Sequence, residues 1–168
     1  MSDIRKPLFD FLDKLGIAHT THEHEAIFTV EQGAHIKTSL PGGHTKNLFL
    51  KDKSGTLFLL CALGETKIPV NQLHKVLDCK RLSFGKPDLM AEILGVTPGS
   101  VTFFAIMNDT ENRVQLVLDQ ALLEHELVNF HPLENTATTA FAASDIKTFA
   151  KATGHDPVML DFAALAAG

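Results

Sequence analysis

A lysine and an asparagine stand side by side at Lys46-Asn47, behind the turn-forming run Pro41-Gly42-Gly43-His44-Thr45 and ahead of the apolar Leu48-Phe49-Leu50. Glycines allow backbone angles closed to other residues, so the main chain around Gly43 and His44 can come close to a ligand and offer its N–H groups. Lysine supplies a compact charge for a phosphate or a developing oxyanion, and asparagine both donates and accepts. A histidine, His131, closes another apolar run before Pro132. Together these groups suit stabilisation of charge on an ester carbonyl while water attacks. His131 itself reads three ways, as a base, as a pocket wall or as a hydrogen-bonded core residue. The plainer reading of residues 41–50 is a hairpin carrying a surface lysine.

Other chemistries fit less well. Of the nine histidines, His19, His22 and His24 lie close together, but in an extended chain only His22 and His24 share a face. There is no HExxH, and Cys61 and Cys79 are poorly placed to complete a zinc set. No metal site is expected, and both thiols are expected to be buried and reduced. The run from Gly42 to Lys46 lacks the first glycine and the following helix of a phosphate loop. No GxSxG elbow is present, which disfavours a serine acyl-enzyme.

The elements that must position these groups follow from apolar spacing. Leu8, Phe11, Leu12 and Leu15 predict a helix ended by Gly16, and residues 17–23 a short strand. Thr29 is placed to cap a short helix over 30–36. Strands are expected over 46–51 and 56–62, joined at Lys53-Ser54-Gly55 as a hairpin. Helices are expected over 70–77 and 87–94, the second opened by Pro87 and closed by Gly95. Residues 82–85 read as a short extended piece. The apolar run 100–107 reads as a central strand, with 114–118 pairing back on it. A helical turn over 121–126, strands over 127–131 and 136–142, a helix over 145–152 capped by Ser144 and an extended 157–162 complete the chain. Irregular alternation with several hairpins favours an α+β fold, with a mixed, largely antiparallel sheet, over a doubly wound one.

A length of 168 residues with 45% hydrophobic content predicts one domain spanning 1–168. No apolar run reaches the roughly 20 residues needed to cross a bilayer, and the first residues lack a signal-peptide core. No membrane partner is therefore expected, and the cytoplasm is the default location. The net charge is −5, yet residues 46–86 carry eight basic and three acidic side chains, a local excess of +5. Such a segment reads as a docking face for a polyanion or as ordinary solvated lysines. The absence of Trp and Tyr argues against a broad base-stacking platform.

Five blocks carry a resemblance: Gly42-Gly43-His44-Thr45-Lys46-Asn47-Leu48-Phe49-Leu50, Ala62-Leu63-Gly64-Glu65, Arg81-Leu82-Ser83-Phe84, Gly95-Val96-Thr97-Pro98-Gly99-Ser100-Val101 and Asn129-Phe130-His131-Pro132-Leu133. In this order they resemble the YbaK/prolyl-tRNA-synthetase-insertion-domain editing family, and within it the freestanding ProX branch. The resemblance implies an α+β hydrolase that cleaves the ester of mischarged Ala-tRNA(Pro). It assigns catalysis to Lys46 with Asn47, and a pocket lining to His131. Its partners are the acceptor end of tRNA(Pro) and, for delivery of substrate, prolyl-tRNA synthetase; no metal or organic cofactor is implied. Ile27, Phe28, Thr29 and Val30 are the candidate walls and mobile cap of a pocket too small for proline. By the resemblance Gly99 and Ser100 correspond to a GxxxP loop near the active site, and Phe103 stands where that loop carries proline. The alternatives are a deacylase for another misacylated tRNA, such as one charged with cysteine or serine, and a non-catalytic tRNA-binding module.

Overall fold

The computed structural model describes residues 4–25 and 42–167. Helix α1 (Lys6–Lys14) and edge strand β1 (His19–Glu23) come first, followed by β2 (Gly43–Asp52) and β3 (Leu57–Leu63) as the expected hairpin. Helix α2 (Val70–Leu77), β4 (Leu82–Phe84) and α3 (Pro87–Leu94) complete the first half. Then come β5 (Val114–Asp119), β6 (Leu127–Phe130), β7 (Ala137–Ala142), α4 (Ile146–Ala152), β8 (Val158–Leu160) and α5 (Phe162–Ala167). The strands form one mixed sheet in the order β1-β7-β6-β2-β3-β5-β8, with β4 paired to the far end of β2. The pairings β1–β7, β7–β6, β2–β3 and β2–β4 are antiparallel, and β6–β2, β3–β5 and β5–β8 parallel. This is the expected α+β class.

Alternation along the strands builds two different faces. Phe49, Leu59, Cys61, Leu116, Val128, Phe130 and Phe141 turn to a first face, where α1, α3 and α4 cover them with Leu8, Leu12, Ile93 and Phe149. On the second face Leu50, Phe58, Leu60 and Ala62 are covered by Leu73 of α2 and Phe162 of α5. That second cover extends over only the β2–β3–β5–β8 half of the sheet.

Several expectations are corrected. Residues 100–107 are not a strand; they form two 3-10 turns, Pro98–Ser100 and Phe103–Asn108. An apolar run with no period is consistent with any fully buried segment, and here Phe103, Phe104, Ala105 and Ile106 are all wholly buried. Consequently β5 has no partner there and pairs in parallel with β3 instead. Ser144 makes no side-chain cap; a short 3-10 turn, Ala143–Asp145, leads into α4. The C-terminal extended piece is shorter than expected and gives way to α5. Cys79 is only partly buried, although Cys61 is fully so, and both thiols are free. The helix expected over 30–36 lies outside the described residues.

Candidate active site at the fork of the sheet

Strand β2 is held at its two ends by different neighbours. At its start Gly43 and His44 pair with Val128 and Asn129 of β6, and at its finish Leu50 to Asp52 pair with β4. Between them, Thr45 to Phe49 run along β3 on one side with no strand partner on the other among the described residues. The sheet is forked at that point. Lys46 lies two residues past the last bonded pair on β2, and His131 two residues past it on the β6 chain.

The diglycine sets this geometry by letting the chain approach protein. Gly42 has φ +93°, and a Cβ there would lie 2.7 Å from the Leu127 carbonyl oxygen. At Gly43 a Cβ would lie 2.9 Å from a Leu63 methyl and 3.0 Å from the His125 ring. Both glycines thus let β2 close onto β6 and β3. Two hydrogen bonds lock the join: Thr45 Oγ1 donates to the Asn129 carbonyl at 2.7 Å, and Asn129 Nδ2 to the Gly43 carbonyl at 3.3 Å. Asn129, 3% exposed, is a positioning residue that the sequence reading left out of the site. A polar residue inside an apolar strand was its available signal.

Strand alternation separates the two neighbours that looked like a pair. Lys46 is opposite Ala62 and so shares the second face, with His44 opposite Asn129; Asn47 is opposite Cys61 on the first face. The side chain of Asn47 is therefore not brought beside that of Lys46, and its Oδ1 is buried without a partner. Its main chain is a different matter. In an antiparallel pair, alternate residues send their N–H and C=O groups to opposite sides. The His44 carbonyl accepts from Gly64 on the β3 side, and the Phe49 carbonyl from Gly85 on the other. Asn47 has the parity of Phe49, so its backbone groups aim into the fork.

His131 is held by its ring and by its backbone. The His131 carbonyl accepts from the Leu133 N–H at 3.0 Å around Pro132, and Leu133 takes φ +70° with its side chain buried in the first core. A left-handed leucine costs about 1–2 kcal/mol, which core packing must hold in place. Nδ1 of His131 lies 3.0 Å from the Ala137 carbonyl. A carbonyl only accepts, so Nδ1 carries the proton and Nε2 of the neutral ring presents a lone pair. Burial pushes the imidazole pKa below its ordinary value; the Ala137 bond opposes this and neighbouring His24 adds to it. The ring centroids of His24 and His131 are 6.3 Å apart, and His24 Nε2 lies 2.8 Å from Thr138 Oγ1. His24 Nδ1 is 2.7 Å from the Glu25 carbonyl, so in the neutral ring Nε2 accepts from Thr138.

Gly99 is exposed and Ser100 buried in the 3-10 turn after α3, which packs on the first core through Val96 and Val101. Phe103 belongs to the first core. It is fully buried and contacts the rings of Phe104, Phe130, Phe141 and Phe149. Ile27, Phe28, Thr29 and Val30 lie outside the described residues. Among the described residues no group of three or more His, Cys, Asp or Glu could hold a metal ion, and no helix is long and apolar enough to cross a membrane.

Comparison with known proteins places this geometry in a family. Residues 24–149 match the aminoacyl-tRNA editing domain. Prolyl-tRNA synthetase associated domain-containing protein 1 of Bos taurus is 40% identical over 166 residues, covering 96% of each chain. Its Danio rerio counterpart is 38% identical, over 95% of this chain and 88% of the other. The prolyl-tRNA editing protein ProX of Acetoanaerobium sticklandii is 31% identical over 91% of this chain and 94% of its own. The crystal structure of a candidate trans-editing enzyme for prolyl tRNA synthetase has the same fold, with TM-score 0.70 at 16% identity over 96% of this chain and 98% of that one. The chain that builds this forked sheet belongs to the aminoacyl-tRNA editing domain family, in its ProX-like branch.

Proposed function

We propose that this protein is a trans-editing deacylase that hydrolyses the ester of mischarged Ala-tRNA(Pro), with Lys46 as its principal catalytic residue. The observation that carries the reading is the fork. A lysine and a neutral histidine flank an opening in the sheet, next to backbone groups that have no strand to bond among the described residues. The Lys46 ammonium holds the terminal phosphate or polarises the ester carbonyl. The Asn47 contribution comes through its main-chain N–H, aimed where charge develops as water adds. The neighbouring ribose hydroxyl is a candidate to assist the water. His131 Nε2, an acceptor at neutral pH, lines the aminoacyl pocket.

Discrimination against Pro-tRNA(Pro) rests on steric exclusion. Contact with one methyl group supplies only about 1–3 kcal/mol, whereas a wall that clashes with the pyrrolidine ring rejects the correct product. Ile27, Phe28, Thr29 and Val30 are the proposed remaining walls, and His44, Gly43, Gly99 and Ser100 the proposed backbone contacts. The basic run over 46–86 provides the face for the acceptor end of tRNA(Pro); Lys51 on β2 pairs with Ser83 of β4, and Lys80, Arg81 and Lys86, all exposed, flank β4. Prolyl-tRNA synthetase is the proposed source of substrate, and the cytoplasm the proposed location. The reading is tested by deacylation of Ala-tRNA(Pro) alongside Pro-tRNA(Pro), Ala-tRNA(Ala) and cysteinyl- and seryl-tRNAs. Turnover is expected for Ala-tRNA(Pro) with Pro-tRNA(Pro) spared; salt-sensitive binding with no turnover would make it a tRNA-binding module instead.

A further inference from the structure

Arg5 stands at the cap of α1 and is only 6% exposed. Its guanidinium bonds two stretches far apart in the chain. At the end of β1, Nη1 donates to Glu23 Oε2 at 2.5 Å. In the turn that follows His131, Nε donates to Glu134 Oε2 at 2.7 Å and Nη2 to Thr136 Oγ1 at 2.9 Å. We propose that Arg5 is a positioning residue that fixes where His131 stands in the aminoacyl pocket, and so sets the exclusion of proline; the proposal rests on the deacylase reading above.

Three features carry it. The clamp grips the two segments that hold the histidines. Glu23 precedes His24, whose N–H donates to the Thr136 carbonyl at 2.9 Å, and Thr136 precedes Ala137, whose carbonyl holds the His131 ring. The clamp also has a firm mount. The Arg5 carbonyl accepts from the Phe9 N–H at 3.0 Å, so α1 starts from this residue, and Leu8 and Leu12 anchor α1 in the first core. The turn it holds contains Leu133 at φ +70°, a conformation that the surroundings must maintain. Finally, the choice of side chain is directional. Burying a guanidinium costs desolvation, and apolar residues of similar volume often stabilise a fold as well as such an ion pair does. Arginine adds a planar fork of donors whose partners must lie in set directions, which suits orienting a turn rather than filling space.

The test measures kcat/KM for Ala-tRNA(Pro) and Pro-tRNA(Pro), the melting temperature and the NMR titration of the His131 ring. Wild type is compared with Arg5→Lys and with the triple variant Arg5→Met, Glu23→Gln, Glu134→Gln. Arg5→Lys keeps the charge and loses the fork; the triple variant strands no carboxylate, so it is expected to melt near wild type. In both, the preference for Ala-tRNA(Pro) over Pro-tRNA(Pro) is expected to fall about tenfold, mainly through a gain with Pro-tRNA(Pro). The His131 titration should move up towards the ordinary histidine value as the loosened turn admits water. In the triple variant charge cannot cause that rise, because two anions leave with one cation and their loss favours the neutral ring. Thr136→Val removes one arm, keeps both ion pairs and gives the same readouts at smaller size should neither variant fold. An unchanged preference in a folded variant, whatever its melting temperature, makes Arg5 a structural residue only and overturns the proposal; so does a His131 titration that stays at its wild-type position. A wild type that deacylates no tRNA overturns the deacylase reading and the specificity role with it, while the titration still decides whether Arg5 holds the ring.

Discussion

The second face of the sheet is two surfaces in one. Over β2, β3 and β5 it carries Leu50, Phe58, Leu60 and Val117 and is sealed by Leu73 and Phe162. Over β1, β7, β6 and the start of β2 it carries Thr20, His22, Thr138, Ala140, Asn129, His44 and Lys46, with a groove among them. The polar groups differ as well. Asp52, at the sealed end of β2, accepts from Ser54 N, Ser54 Oγ, Thr56 N and Lys80 N, all within 3.1 Å. Asn47, five residues away and turned to the first face, keeps a buried oxygen with no partner. Buried polar groups are normally satisfied by their own chain. The Asp52 cluster, fully satisfied, is a structural staple.

Breaking the open half should abolish function and spare the fold. Lys46→Ala is expected to lower deacylation about 10²- to 10³-fold with an unchanged melting curve. Full activity in that variant would remove Lys46 from the role assigned to it. Next in size is the join of the two halves. Gly42→Ala forces a Cβ against the Leu127 carbonyl at positive φ, and should cost about 1–3 kcal/mol while also lowering activity. Denaturant titration with an activity assay at low denaturant separates the two effects.

His131 sharpens the comparison through pH. Its pKa is lowered mainly by burial, so the folded state favours the neutral ring. Its contribution to stability is complete above the ordinary histidine value and is lost as pH falls through the depressed one. Activity should therefore hold through the pH range where an ordinary histidine titrates and fall only below it, and His131→Ala should remove that limb and admit Pro-tRNA(Pro). The smallest effect belongs to the sealed end. The Asp52 pKa is lowered because its hydrogen bonds outweigh burial, the largest single influence, which acts upward. Its stabilisation is present above the ordinary aspartate value and lost as pH falls through the lowered one. Asp52→Asn should lower Tm by a few degrees at neutral pH, flatten the acid limb of stability, and leave kcat/KM unchanged.

Local chemistry made much of this legible in the chain. Pro87 and Gly95 bound α3, with Gly95 at φ +67°; alternating and continuous apolar runs marked β2, β3, β6 and β7; and the blocks around Lys46 and His131 announced the family before any coordinates. These features depend on residues within a few positions of one another. The segment 100–107 failed the same logic, because a run apolar on every side carries no period. Only the long-range packing of Phe103 against Phe130, Phe141 and Phe149 decided its shape.

The sequence by itself determined which groups are available: a lysine behind two glycines, a histidine before a proline, and strands with enough apolar side chains to hold them. Tertiary structure alone decided how those groups meet. Strand parity sent Lys46 and Asn47 to opposite faces, and the parallel join of β2 to β6 set Lys46 and His131 on either side of the fork. Pairing partners far apart in the chain fix register, and register fixes which side chains share a surface.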